Sequence, residues 1–430
     1  MKRYDKYKDS GVEWIGKIPE NWKVRRLGNL LTDYSEKNNS EFPLLSITRE
    51  KGVILRDLEE DENHNFIPDD LSGYKKLYLN YFGMNKMKAW QGSYGISKYT
   101  GIVSPAYYTF KISDLLYPDF FHLAIRSKTY ISFFGSASDG VRIGQWDLSK
   151  TRMKNIPFII PSFPEQQAIA SFLDDKTSKI DQTISIKEKE IELLKERRQI
   201  LIQKAVTKGL DDKVKLKDSG VEWIGEVPEH WKVSFIKRFS YNITDGSHSS
   251  PETTHEGKNY VSVKDVNDSG EIDLVSCKKI SNKDFKLLVR NGCQPKLNDL
   301  LLTKDGTIGR AAVVSENDFV ILSSLGLITP NSKILNPYFL RYHFISPHTV
   351  ENMYSLIAGS ALTRLTIEKI KKIEIVVPSL NEQTQIVHYL EKIEEKISKA
   401  ISLKEQEIEK LKEYKTVLID NVVTGKVKVS

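Results

Sequence analysis

The sequence predicts an α+β protein in which two mixed α/β domains are separated by two long antiparallel coiled-coil helices. Three observations predict this: a short motif that occurs twice, a longer tail that occurs twice, and a strict apolar spacing inside the tails. Residues 8–24 read KDSGVEWIGKIPENWKV and residues 217–233 read KDSGVEWIGEVPEHWKV, identical at 14 of 17 positions at an offset of 209. Residues 161–207 and 378–424 match at 22 of 47 positions at an offset of 217. A period this long is a duplicated domain pair, not a solenoid unit.

The boundaries follow from the repeat. Residues 1–160 form the first domain with its entry motif, and 161–210 the first spacer helix. Residues 211–377 form the second domain with the repeated entry motif, and 378–430 the second spacer helix. The stretches between the repeated ends, roughly 25–158 and 234–375, hardly resemble each other. A shared frame with different inserts implies one scaffold carrying two different readers.

Each insert alternates β-like runs with turn residues before a helical segment. The first has FPLLSI (42–47), GIVSPAYYTFKI (101–112) and then YPDFFHLAIRS (117–127). The second has LNDLLLTKDGTIGRAAVV (297–314), FVILSSLGLITP (319–330) and then PYFLRYHFISP (337–347). The common order predicts a common fold, a twisted sheet with flanking helices.

The tails read as long helices. Prolines 161, 164 and 378 precede them, and Glu165 and Glu382 favour the positive end of a helix dipole. Gly209 and Gly425 stand near their ends. Apolar residues fall at Ile180, Ile184, Ile191, Leu194 and Leu201, and again at Ile397, Ile401, Ile408, Leu411 and Leu418. With Lys187 and Arg198 included, the first set steps by four and three alternately, which is a heptad seam. Cations recur at the same seam positions in the second copy, Lys404 and Lys415. Their stems can bury while their heads stay wet. Some 45 residues of helix span roughly 65 Å. The economical way to cover two such seams is to pack them on each other, antiparallel, about a pseudo-twofold axis. The alternatives are a parallel pair, which would put both inserts at one end, and each helix packing only on its own domain.

Composition narrows the function. Hydrophobic residues make up 40% of the 430, enough for real cores, and the net charge is +7. A mild basic excess permits a polyanion partner. Two cysteines, Cys277 and Cys293, exclude a disulfide framework or a four-cysteine zinc site. No apolar run approaches the roughly 18 residues that cross a bilayer, and the N-terminus lacks a signal-peptide pattern. A cytoplasmic protein is expected.

Three polar clusters are candidates for ligand contact. NKMKAWQGSYGISKYTG (85–101) offers Lys86, Lys88, Gln91, Ser93, Tyr94, Lys98 and Tyr99, with Trp90, around glycines. Such a mix suits phosphates and base edges. TDGSHSSPETTHEGK (244–258) offers Asp245 and His248. With His255 they make a weak metal set, so no metal is expected and a turn presenting His248 to a phosphate is preferred. LTKDGTIGR (302–310) offers Lys304, Thr307 and Arg310 but lacks the ending of a nucleotide phosphate loop. Arg142, Gln145 and Trp146 occupy a place like that of Arg364, before the strands IPFIIP (156–161) and IEIVVP (373–378) that lead into the tails. No catalytic motif emerges. Asn336-Pro337-Tyr338 lacks the second proline of an amino-methyltransferase motif. Asp61-Glu62-Asn63-His64 has no partner phosphate loop. A non-catalytic chain is expected.

The entry motifs at 9–24 and 218–233 and the tails at 161–174 and 378–391 resemble the specificity subunit of Type I restriction–modification enzymes. The segments AWQGSYGISKYTGIVSPAYYTF (89–110) and DGSHSSP (245–251) do so as well. The resemblance covers nearly the whole chain. It implies two target-recognition domains, each reading half of a split, asymmetric double-stranded DNA target, and spacer helices that bind methyltransferase subunits, two of them. It also implies a restriction/translocase subunit as partner, with S-adenosylmethionine, ATP and Mg2+ on the partners and no cofactor on this chain. The alternatives are a coiled-coil adaptor that binds only proteins and an enzyme with an unrecognised nuclease site.

Overall fold

The computed structural model describes residues 2–56, 67–139, 146–357 and 364–429. Contacts gather the chain into two units, Met1–Lys187 with Glu405–Ser430, and Glu188–Lys404. Each holds one α/β domain and one half of each long helix.

In the first unit the entry motif is a hairpin, Tyr7–Asp9 against Lys17–Pro19. Its turn explains the repeated letters. Asp9 Oδ1 accepts the Gly11 N–H at 2.8 Å, and Gly11 adopts φ 72°, where a side chain would be strained. Next, Lys23–Arg26 pairs antiparallel with Pro157–Ile160. That pairing brings the two ends of the insert together at its base. Inside the insert lies a four-stranded antiparallel sheet of β1 (Leu31–Asp33), β2 (Phe82–Met84), β3 (Tyr94–Ile96) and β4 (Tyr108–Ile112), in the order β1-β4-β2-β3. The buried rings of Phe82, Tyr94, Phe110, Phe121 and Phe158 fill the core behind it. Each such ring contributes roughly 1.5–3 kcal/mol by burial.

The second unit repeats the plan. Leu216–Asp218 pairs with Glu226–Pro228, Asp218 Oδ1 accepts the Gly220 N–H at 2.9 Å, and Gly220 has φ 73°. Lys232–Phe235 pairs with Glu374–Val377. The insert's main sheet is β5 (Ser240–Asp245), β6 (Leu300–Thr303), β7 (Ala311–Val313) and β8 (Leu325–Pro330), in the order β5-β8-β6-β7. The strand order is that of the first unit, as the shared order of segments predicted. A second sheet, in which Lys258–Val261 runs parallel to Phe319–Ile321, sits beside it.

The long helices run Phe163–Lys208 and Leu380–Val423. Their starts are tied to the domains by one device used twice. Gln166, fully buried, donates to the carbonyls of Leu115 (2.9 Å) and Pro161 (3.1 Å) and accepts the Tyr117 N–H (2.8 Å). Gln383, equally buried, donates to Ile334 and Pro378 (both 2.9 Å) and accepts the Asn336 N–H (2.7 Å). A buried amide with its partners met is cheap; the same groups left unpaired cost about 1–3 kcal/mol each. Ser379 and Glu382 also form a capping box at the second helix.

The helices pack antiparallel within each unit. In the first, Ile180 and Ile184 share a core with Leu411 and Leu418, and Asp181–Lys415 and Lys187–Glu407 are both 2.6 Å ion pairs. In the second, Ile202 shares a core with Ile386 and Leu390, and Glu190 pairs with Lys404. Numbers rise on one helix as they fall on the other. Ile191, Ile397 and Ile408 are buried, while Leu194, Leu201 and Ile401 are half-buried, so the seam lies where the spacing put it. Three of the four seam cations therefore meet a carboxylate of the facing helix. Arg198 does not: the offset of 217 carries Asp181 onto Ser398, and Arg198 Nε is buried without a hydrogen-bond partner.

Candidate nucleic-acid interface

The two polar clusters read as loops occupy the same place in their sheets. Residues 85–93 join β2 to β3, and residues 304–310 join β6 to β7. Lys86 and Lys304 each stand two residues beyond the last residue that the incoming strand pairs with the outgoing one, Met84 and Leu302. Both loops reach the segment that leads into a short helix before the long one. In the first unit Lys86 Nζ lies 2.8 Å from Asp147 Oδ2. In the second Asp305 takes a two-pronged pair from Arg364, Nε to Oδ1 at 2.9 Å and Nη2 to Oδ2 at 2.8 Å. The offset of 217 carries Asp147 onto Arg364. A like contact is made in both readers with its charges reversed, from Lys86 in the first and from Asp305, the residue after Lys304, in the second.

The short helices that follow are capped alike, Ser149 accepting the Arg152 N–H and Thr366 the Lys369 N–H. Each cap satisfies one of the orphan donors of its helix.

The individual candidates are placed as follows. Lys88, Lys98 and Tyr99 are exposed and Lys86 and Gln91 half-buried, all available to a ligand. Ser93 and Tyr94 are not. They are 2% and 0% exposed, because β3 opens at Tyr94 with its side chain turned into the core against Phe82 and Phe134. The expectation that these two touch a ligand is corrected: they hold the loop's outgoing strand. Trp90 packs on Trp146, ring centroids 5.3 Å apart. Arg142 and Gln145 lie outside the described residues.

In the second reader Lys304 is 2% exposed and is held by Asp245 (3.3 Å) and Asp305 (3.8 Å), so it acts as an internal tie and not as a free cation. Its proposed ligand contact is corrected in the same way. Asp245 also receives His248, at 3.3 Å. Thr307 is exposed, and Arg310 is half-buried and bound to Asp268 at 2.5 Å. The glycine of the DGSHSS turn has a steric cause, since a Cβ on Gly246 would stand 2.2 Å from the Ile321 carbonyl oxygen. Asp245, His248, Lys304, Asp305 and Arg364 thus form one surface network fed by three sequence-distant segments. His255 is exposed, and no group of three or more metal-ligating side chains occurs among the described residues.

Sequence reasoning named Asp245 but missed the acids Asp33, Asp147 and Asp305 and the lysines Lys75, Lys150 and Lys154. Asp33 is shared by Lys150 and by Lys154 (2.7 Å), and those hydrogen bonds hold its carboxyl below the ordinary range against the opposing effect of burial. Lys75 donates to the Tyr107 carbonyl at 2.7 Å. The repeat offset of the tails, extended back through Asp147 and Arg364, was the signal that could have found the latch that these two residues make with the loops.

Two histidines in the domain cores are structural. His122 accepts the Ile96 N–H at 3.1 Å, and His343 Nε2 accepts the Val376 N–H at 3.2 Å. Burial lowers each to about 4. In the first reader the N–H equivalent to that of Val376, on Ile159, goes to the Tyr130 hydroxyl instead (3.1 Å).

Comparison with known proteins agrees with this architecture. The family model "Type I restriction modification DNA specificity domain" matches twice, at residues 19–196 and 228–413. The Type I restriction enzyme EcoBI specificity subunit of Escherichia coli is 27% identical over 64% of this chain and 60% of its own length. The MjaVIII specificity subunit of Methanocaldococcus jannaschii is 24% identical over 96% of this chain and 94% of its own. Thus the chain spans under two thirds of the first relative and nearly all of the second. Among solved structures, a chain from work on complex assembly and conformational transition of the type I R-M system superposes with TM-score 0.69 at 15% identity, covering 95% of this chain and 99% of that one. The HsdS subunit from Thermoanaerobacter tengcongensis superposes with TM-score 0.55 at 14% identity, covering 95% and 98%. With two matched domains spanning most of its length, the chain belongs to the Type I restriction–modification DNA specificity domain family.

Proposed function

We propose that this chain is the DNA-specificity subunit of a Type I restriction–modification complex and that each α/β domain reads one half of a split, asymmetric target. The observation that carries the reading is the pair of unlike loops, 85–93 and 304–310, set at the same place in the same sheet on a duplicated frame. A duplicated frame gives two recognition events; unlike loops make them different.

Catalysis in this reading belongs to the partners. Methyltransferase subunits, two of them, hold S-adenosylmethionine, and restriction subunits hold ATP and Mg2+, in the cytoplasm. The helices offer a seat for partner helices: Ile186, Leu193 and Ile200, spaced seven apart and 61%, 55% and 58% exposed, form a second apolar row beside the seam. Among the described residues no helix is long and apolar enough to cross a membrane.

The test is modified-base sequencing of DNA from a host expressing the chain with its methyltransferase partner, against a host lacking the chain. The expected result is a new, split, asymmetric methylated motif. Exchanging residues 25–158 for another insert is expected to change one half of that motif and leave the other intact. A motif unchanged by the exchange would refute the reading.

A further inference from the structure

Around the start of β4 the first reader gathers amines that the second does not reproduce. Lys75 Nζ bonds the Tyr107 carbonyl at 2.7 Å. Lys150 Nζ sits 5.1 Å from the Tyr108 ring centre and 5.3 Å from that of Phe110. Lys86 is close enough to Tyr108 to interact with it electrostatically, and Lys37 is close enough to act on Lys75. Among the described residues, few carboxylates face this group. Asp33 serves both Lys150 and Lys154, and Asp147 serves Lys86. The nearby Lys76–Glu36 and Arg152–Asp139 pairs are internally neutral. Among the described residues positive charge is therefore in excess around Lys75. Burial first, and then Lys150, Lys37 and Lys86, lower its affinity for a proton.

The second reader differs at the equivalent positions. The offset of 217 carries Lys150 onto Ile367. Lys304, placed like Lys86, is enclosed by Asp245 and Asp305, and Arg364 is matched by Asp305. Cations and carboxylates balance at the loop itself, while Lys237, Lys371 and Lys372 gather about Glu368 on the short helix that follows.

We infer that Lys37, Lys75, Lys86 and Lys150, set around Tyr107 and Tyr108, form a binding saddle for backbone phosphate of the DNA, and that the loop of the second reader has no such saddle. This deepens the proposed function and rests on it. Clustered amines without enough carboxylates are stabilised by an anion, and repeated phosphates release counterions when they bind. The Tyr108 and Phe110 rings beneath Lys150 hold that amine at a fixed height. The two half-sites are then held differently: the first draws on sequence-independent phosphate contacts close to its reading loop, the second on the shape and hydrogen bonding of a charge-balanced one.

The experiment measures binding of the full chain, with its methyltransferase partner, to a mixed-sequence duplex between roughly 50 and 200 mM salt. Lys37→Gln, Lys75→Gln and Lys150→Gln are made singly and together. Each is expected to lower the slope of log affinity against log salt by about one, with the methylated motif unchanged. Lys75→Arg and Lys150→Arg are expected to keep the slope, and Ile367→Lys to raise it by about one. Thermal melting checks that the variants are folded, and Ile367→Lys carries the test on the other unit if the triple variant is not. A slope unmoved in folded variants would overturn the saddle, as would a changed motif, which would make these lysines base readers. A wild-type complex that bound the duplex without salt dependence would overturn the DNA reading itself.

Discussion

The two reading loops are built on one frame and held by opposite charges. In the first reader a loop cation, Lys86, is pinned by Asp147. In the second a loop anion, Asp305, is pinned by Arg364, and the loop's own lysine is locked inside by a second acid, Asp245. What the frame needs is a tie between loop and following helix; the sign of the tie is free. A loop can therefore vary in sequence provided its latch residue varies with it. The frame itself varies little because its parts have single solutions. Gly11 and Gly220 take φ of 72° and 73°, and Gln166 and Gln383 each meet three buried backbone groups.

The sharpest way to break the comparison is to remove the loop lysines. Lys304→Met leaves Asp245 and Asp305 facing each other in a site whose lysine side chain is only 3% exposed. Breaking a buried pair costs about 3–5 kcal/mol. Lys86→Met breaks a pair that is largely wetted and is expected to cost under about 1 kcal/mol. Denaturant unfolding of both variants checks this. Equal losses would mean that the two ties are energetically alike.

Next in size is the helix anchor, where the units should agree. Gln383→Leu and Gln166→Leu each strand two carbonyls and one N–H, and each is expected to cost about 2–3 kcal/mol. A large difference between them in the same unfolding assay would show that the frame is not energetically duplicated.

Acid provides a third comparison. His122 and His343 are held neutral, with folded values near 4 against an ordinary 6.5. In that window the unfolded chain binds the protons and the folded chain does not. Stability is therefore full above about pH 6.5 and falls as pH drops toward 4, by up to about 1.4 kcal/mol per pH unit for each histidine. Unfolding midpoints at pH 7, 6 and 5 measure it. His343→Gln is expected to flatten the second unit's share and leave that of His122. Glu382, lowered to about 2 by its bonds to Ser379, His230 and Trp231 against the opposing effect of burial, adds a loss at lower pH, between about 4.5 and 2.

The smallest effect is at the latch surface. Asp147→Arg places like charge against Lys86 and is expected to cost under about 1 kcal/mol in stability. It should weaken reading of the first half-site only, and Lys86→Asp in the same chain should restore the tie and its stability but not the phosphate contact of Lys86. Band-shift competition between cognate and altered half-sites measures the split.

Much of this was legible in the sequence. The seam was, because a heptad spacing constrains which side chains can face a partner, and Ile180, Ile191, Ile397, Ile408 and Leu418 are buried accordingly. The two loops were, because glycines and polar residues interrupt the strand pattern. Their contents were less so. Ser93 and Tyr94 read as polar contacts, but after Gly92, at φ 92°, the chain turns and both side chains go inside. Lys304 read as a free cation because its acids, Asp245 and Asp305, could be placed only by the sheet. The lysine saddle was invisible for the same reason: Lys37, Lys75, Lys86 and Lys150 come from four separate segments, and no spacing rule links them.

The most direct measurement is the methylated motif written by a host that carries this chain and its methyltransferase partner, read before and after residues 25–158 are replaced by an unrelated insert. Two readers on one frame predict a split motif in which one half changes and the other half and the gap stay. A motif that changed as a whole, or not at all, would contradict the account.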